Sequence, residues 1–180
     1  MPSPTLRPLR VEDASAVLAA FSSATDMARQ GDVSSMDAAV TYLQRLTGGD
    51  HLVFGLTVDG RVVGAVGVTV DRTNRCGWVW YWMHAAFRGR GWTARATATV
   101  ANWALGQGGL ERLELGYRVN NPASARVAAA AGFVVEGRER GKFLIDGERV
   151  DVESCGRLRS DPWPDLDELE LIAAPSGSAV

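Results

Sequence analysis

The sequence predicts an α/β (α+β) fold, with one mixed, twisted seven-stranded sheet and helices on both faces. Three observations predict it. Two Asp-Gly pairs, Asp59-Gly60 and Asp146-Gly147, sit between apolar runs and mark antiparallel hairpins in both halves of the chain. Between the hairpins the pattern changes to helix, strand, helix, and a strand that follows a crossover helix lies parallel to the strand before it. The 180 residues are 46% hydrophobic and 22% charged, enough apolar material for one layered domain.

The elements follow in order. Thr5 to Leu9 starts a short strand that Pro8 interrupts. Glu12 to Phe21 carries Ala14, Val17, Leu18 and Phe21 at helical spacing. Ser34 or Ser35 caps a second helix whose buried face is Val40, Leu43 and Leu46. His51 to Val58 and Val62 to Val70 are the arms of the first hairpin, and Gly77 to Met83 extends the meander after a turn at Thr73-Asn74. Trp92 to Gln107 reads as a helix stopped by Gly106, Gly108 and Gly109. Arg112 to Val119 is the parallel strand. Asn121 and Pro122 open an alanine-rich helix that ends at Gly132. Phe133 to Ile145 and Glu148 to Leu158 form the last hairpin.

A domain of residues 1–160 is expected, followed by an acidic C-terminal tail, 161–180, that is partly disordered from Pro175 to Val180. The tail carries Asp161, Asp165, Asp167, Glu168 and Glu170 and no base. Trp163, Leu166 and Leu169 are spaced to anchor one helical turn on the body.

Composition excludes several functions. A net charge of −2 gives no general attraction to nucleic acid or an anionic membrane, so an anion site must be local. Two cysteines, Cys76 and Cys155, are too few for a metal cluster or a disulfide framework, and no metal is expected. No run of about 18 apolar residues spans a membrane. The N-terminal stretch lacks the apolar core of a signal peptide, which makes the cytoplasm the expected location.

The segment Arg88-Gly89-Arg90-Gly91-Trp92-Thr93 joins a strand to a helix start. First-turn amides lack intrahelical partners, the dipole adds partial positive charge, and Gly89 and Gly91 let a ligand approach the backbone. Arg88, Arg90 and Arg95 supply full charges. A pyrophosphate cradle is one reading, and a plain tight turn with solvated arginines is the other. No Gly-Lys-Ser/Thr follows, so it is not a P-loop. Gly89-x-Gly91-x-x-Ala94, with Glu111 or Glu114 beyond, matches a dinucleotide fingerprint, but antiparallel hairpins on both flanks do not suit that fold.

These residues resemble the GNAT acyltransferase superfamily. Its loop, Arg/Gln-x-x-Gly-x-Gly/Ala, fits Arg88 to Thr93, with Thr93 replacing the final small residue. More specifically, the chain resembles the ribosomal-protein N-terminal acetyltransferase branch, the RimJ/RimL type, through "LRPLRVEDAS", "NNPASARVAAAAGF", "EGRERGKFLIDGERVD" and "LRSD", from about Leu6 to Asp161. The resemblance implies acetyl-CoA bound where the fourth and fifth strands splay apart. It implies pantetheine along the backbone of Met83, His84 and Ala85, and the pyrophosphate on Arg88, Gly89, Arg90, Gly91, Trp92, Thr93 and Ala94. Asn121 and Ser124 match an Asn-x-x-Ser that lies near the pantetheine arm and sulfur. Asn121 reads equally as a helix cap.

Transfer needs a neutral amine, a base, an oxyanion donor and help for the leaving thiolate. A strand amide near Met83 to Ala85 would serve the oxyanion. Ser124 is the candidate for the thiolate, since the position where many relatives carry tyrosine is Ala128 here. His84 continues the face of Trp78, Trp80 and Trp82 and suits a general base; Asp151, Glu153, Glu136 and Glu139 are the alternatives. The tryptophan row reads as core first, and as an acceptor slot or dimer seam second, so a homodimer stays open. The expected function is acetyl transfer to an amine, a protein or peptide α-amine first and a small amine (antibiotic or polyamine) second. A CoA-binding module without turnover is the competing class.

Overall fold

Short-range chemistry builds most elements of the computed structural model, which describes residues 3–173. In chain order these are β1 (Thr5–Pro8), α1 (Ala14–Phe21), α2 (Met36–Leu46), β2 (His51–Val58), β3 (Arg61–Asp71), β4 (Cys76–Met83), α3 (Trp92–Leu105), β5 (Arg112–Arg118), α4 (Pro122–Ala130), β6 (Val134–Ile145), β7 (Glu148–Leu158) and β8 (Glu170–Leu171). Asp59 and Gly60 take φ of 50° and 78°, and Asp146 and Gly147 take 49° and 84°. Two successive positive φ values are what a two-residue hairpin needs to match strand twist. Ser35 caps α2 by accepting the Ala38 N–H at 3.1 Å. Asn121 caps α4 with Pro122 in its first turn.

The sheet runs β6-β7-β5-β4-β3-β2-β1-β8. Neighbours are antiparallel except β4 with β5 and β1 with β8. One core lies under α1 and α2, with Val17, Phe21, Leu43, Val53 and Trp82; the other lies under α3 and α4, with Leu6, Phe54, Val68, Val79 and Leu113. The parallel contact is brief. It runs from Cys76↔Arg112 to Trp78↔Glu114 and then stops. Beyond it β4 stays with β3 as far as Gly64↔Met83, while β5 stays with β7 as far as Arg118↔Val152. Each strand follows its antiparallel partner, and the expected V-shaped splay opens between them.

The tryptophan row grades from core to surface. Trp82 is 3% exposed and meets Phe21 edge to face at 5.5 Å. Trp80 lies over Gly67, where even a Cβ would collide with its ring, and its Nε1 donates to Thr69 Oγ1 at 3.3 Å. Trp78 is 42% exposed, with the Lys142 ammonium 5.9 Å from its ring centroid. The core reading holds for Trp82 and Trp80.

The sheet has eight strands, not the expected seven, because the chain does not leave the body at residue 160. Trp163, Leu166 and Leu169 form no helical turn. The segment runs extended past α3 and adds β8 in parallel to β1. Its grip is polar and apolar together. Arg95 Nε donates to the Asp167 carbonyl at 2.8 Å, the Leu169 N–H donates to Thr99 Oγ1 at 2.9 Å, and Leu169 is buried. Glu168 accepts from the Asn102 amide, whose oxygen accepts from Arg157 at 2.6 Å. The expected disorder of Pro175 to Val180 lies outside the described residues.

Deleting Pro162 to Val180 is therefore expected to lower the unfolding free energy by at least about 2 kcal/mol, the lower bound for losing one buried leucine. Acceptor KM should stay unchanged, because the described part of this segment runs along α3 and β1 and lines no part of the cleft described next. Urea unfolding and acceptor kinetics on the truncated chain check both halves.

Candidate active site

A cleft of about 500 Å³ opens where β4 and β5 separate. Its floor is Tyr81 to Met83, one end is the loop from Phe87 to Gly91 with the start of α3, one wall is α4, and a rim comes from Asp26, Met27 and Gln30. Strand geometry decides which backbone groups face it. The His84 N–H donates to the Val63 carbonyl at 2.9 Å, so the even residues of β4 bond to β3. In an antiparallel ladder alternate residues turn their N–H and C=O the other way. Tyr81 and Met83 thus present backbone groups to the splay, and the Met83 carbonyl accepts from Arg88 Nε at 3.1 Å.

The loop leaves its backbone open to solvent. Gly89 and Gly91 take φ of 76° and 73°, and a Cβ on either would have nothing within 4 Å. Gly91 is the N-cap of α3 and supplies no side-chain cap. The first helical bond runs from the Arg95 N–H to the Gly91 carbonyl at 3.2 Å, so the amides of Trp92, Thr93 and Ala94 are left for an outside acceptor. Thr93 in place of a small residue does not block this wall.

The arginines divide. Arg90 lies over Phe87 and Trp92, 5.4 and 5.1 Å from their centroids, at the cleft mouth. Arg88 is bracketed instead: its terminal nitrogens hold both oxygens of Asp26 at 2.9 to 3.2 Å. Its charge is answered within the protein. Arg95, expected to face the phosphates, is held by the Asp167 and Glu168 carbonyls.

Ten of the expected site residues come together at the cleft: Met83, Arg88, Gly89, Arg90, Gly91, Trp92, Thr93, Ala94, Asn121 and Ser124. Two do not. The amide of His84 is spent on β3, and that of Ala85 donates to Ser23 Oγ at 3.0 Å. Neither lines the cleft, because β4 ends at Met83 and the chain turns into a 3-10 turn, Ala85–Phe87. The His84 ring caps that turn, its Nδ1 accepting the Ala86 N–H at 3.1 Å. Burial, then the charges of Arg61 and Arg88, push its pKa below the ordinary histidine value.

On α4, Asn121 Oδ1 accepts the Ser124 N–H at 3.2 Å and Asn121 Nδ2 donates to Ser124 Oγ at 3.1 Å. Cap and cleft residue are thus one. The four alternative bases are engaged elsewhere. Glu136 pairs with Arg112, and Glu139 with Lys142 and Ser154. Glu153 accepts from Tyr117 and Arg138, and Asp151 from the Gly141 N–H. These bonds to the charged form hold Glu136, Glu139 and Glu153 below the usual carboxylate range.

Sequence reasoning missed Tyr81, Asp26, Gln30 and Arg126 in the lining. The two-residue period from Met83 could have found Tyr81. Asp26 and Gln30 come from an irregular segment with no pattern to read. Among the described residues, no group of acids, histidines or cysteines is arranged to hold a metal, and no helix is long and apolar enough to cross a membrane.

Comparison with known proteins bears on family and fold. Residues 5–134 match the family model for the acetyltransferase (GNAT) domain. A probable N-acetyltransferase, YjcK of Bacillus subtilis (strain 168), is 28% identical over 170 residues, 87% of this chain and 94% of that protein. The ribosomal-protein-S5-alanine acetyltransferase from Vibrio fischeri superposes with a TM-score of 0.79 at 21% identity, covering 91% of this chain and 96% of that one. RimL, a ribosomal L7/L12 α-N-protein acetyltransferase solved with coenzyme A, gives 0.79 at 19% identity, covering 87% and 94%.

Proposed function

This chain belongs to the acetyltransferase (GNAT) domain family, and from that premise we propose that the amine it acetylates is a protein or peptide α-amine. It is an N-acetyltransferase that uses acetyl-CoA. The observation that carries the acceptor reading is the splay, where β4 and β5 each leave backbone unpaired beyond Trp78 and Glu114. With the β4 edge given to acetyl-CoA, the β5 edge past Glu114 keeps backbone for an extended chain end, which brings its own N–H and C=O groups. A polyamine would call for carboxylates. Among the described cleft residues only Asp26 is acidic, and Arg88 holds it.

Each part of the cleft then has a task. The Gly89 to Ala94 amides and Arg90 hold the pyrophosphate. Met83 bonds pantetheine as an added strand would, and the Tyr81 N–H, deeper in the splay, faces the oxyanion. Asn121 fixes Ser124, whose hydroxyl steadies the thiolate. His84 accepts the ammonium proton through water at Nδ1, which first releases the Ala86 N–H, because that bond leaves the ring's own proton on Nε2; its lowered pKa keeps the ring neutral at pH 7. A base works when deprotonated, so kcat/KM should rise with pH through a midpoint below the ordinary histidine value of about 6.5. His84→Ala should lose that acid limb in a pH–rate profile; a limb that survives assigns the base elsewhere.

Release of free CoA thiol tests the whole reading, with free peptides, N-terminally blocked peptides, polyamines and aminoglycosides offered in turn. Thiol release is expected with free α-amines and not with blocked ones. Turnover with the small amines alone would reassign the acceptor. Acetyl-CoA binding without thiol release would make the chain a binding module.

A further inference from the structure

The cleft holds a proton donor that none of these roles uses. We propose that Tyr81 donates the proton taken up by the departing CoA sulfur, an assignment that rests on the acetyl-transfer reading above. The titratable side chains lining the described cleft are Asp26, Tyr81, Arg88, Arg90 and Arg126. Asp26 has both oxygens accepting from Arg88. Arginines do not release their protons. Ser124 and Thr93 carry alcohols, far weaker acids than a thiol. A phenol at about 10 and a thiol at about 8.5 are close enough for efficient transfer, which leaves Tyr81.

Geometry supports the assignment. Tyr81 shares with Val79 and Met83 the side of β4 that packs on the α3/α4 core, and it lines the cleft. Its Oη donates to the Ser124 carbonyl at 3.4 Å, a long bond that a better acceptor would displace. That contact sets the phenol beside the serine that the Asn121 amide fixes. Burial raises the phenol pKa, so the hydroxyl keeps its proton at neutral pH.

The step balances without a further reactant. The neutral amine nitrogen bonds to the acyl carbon and the carbon–sulfur bond breaks with its electron pair on sulfur. The thiolate takes the Tyr81 Oη proton. The phenolate recovers the proton that the acylated nitrogen sheds, by way of water.

Tyr81→Phe keeps the ring and removes only the hydroxyl. Its kcat should fall about 100-fold, within the usual range for general-acid loss. Acetyl-CoA Kd, by titration calorimetry, should stay within about twofold, since the serine–asparagine cap and the loop are untouched. The parent's kcat should decline at high pH as the phenol ionises, and the variant should lack that limb. A merely structural tyrosine would not carry the limb. A variant within about threefold of the parent kcat, with the alkaline limb intact, overturns the assignment while leaving the acetyltransferase standing. A parent that releases no thiol with any amine overturns the acetyl-transfer reading, and Tyr81's role with it.

Discussion

Arg157→Ala should lower the unfolding free energy by about 3 to 5 kcal/mol, the range for removing one partner of a buried charged network. Against the roughly 5 to 15 kcal/mol of an ordinary domain, that is a third or more of the total. Arg157 is 0% exposed, between α3, the end of α4 and the C-terminal segment. Its terminal nitrogens donate to the Ala131 carbonyl at 2.9 Å and to Asn102 Oδ1 at 2.6 Å, and Asn102 passes the connection to Glu168. Burial depresses the guanidinium's pKa, and Asp161 and Glu168 oppose that shift. Alanine would leave a cavity and two buried acceptors short of a donor. Arg157→Met fills the cavity and should recover part of the loss. Guanidinium unfolding at constant slope measures both; a change under about 1 kcal/mol for alanine would mean the network contributes little.

Gly91→Val should weaken acetyl-CoA binding about 100-fold while the protein stays folded. Gly91 sits at φ 73°, where a β-branched residue costs about 1 to 2 kcal/mol of strain, and the added side chain projects into open space at the anion cradle. Displacing one or two charge-assisted bonds from the α3 amides, at about 1.5 to 3 kcal/mol each, gives the affinity loss. Gly60→Ala separates the two effects. Gly60 has φ 78° and open space as well, but it lies in the β2–β3 hairpin, away from the cleft. It should lose stability and keep its Kd. Equal Kd values for Gly91→Val and the parent, by titration calorimetry, would remove the α3 N-terminus from the binding site.

Much of this was legible because it is local. Asp-Gly turns, the Ser35 and Asn121 caps and the Gly89/Gly91 loop are each decided by a few consecutive residues, and the structure has them at the expected positions. Met83 came from the resemblance, and it lines the cleft. Alternation along β4 carried His84 one step too far, because a period cannot say where a strand ends. Ala85 failed for a different reason: its amide is taken by Ser23, 62 residues away.

By itself, then, the sequence determined the hairpins, the capped helices, the parallel step and the Gly89/Gly91 loop, all set by backbone preferences within a few residues. Tertiary structure alone decided how the charges are spent. Arg88 goes to Asp26, Arg95 to the Asp167 and Glu168 carbonyls, and Arg157 to a buried network that draws the acidic segment into an eighth strand. It also decided that Tyr81 and Ser124 meet across the cleft. A long polar side chain takes whichever partner the packed chain brings within reach, and desolvation then makes the choice costly to undo.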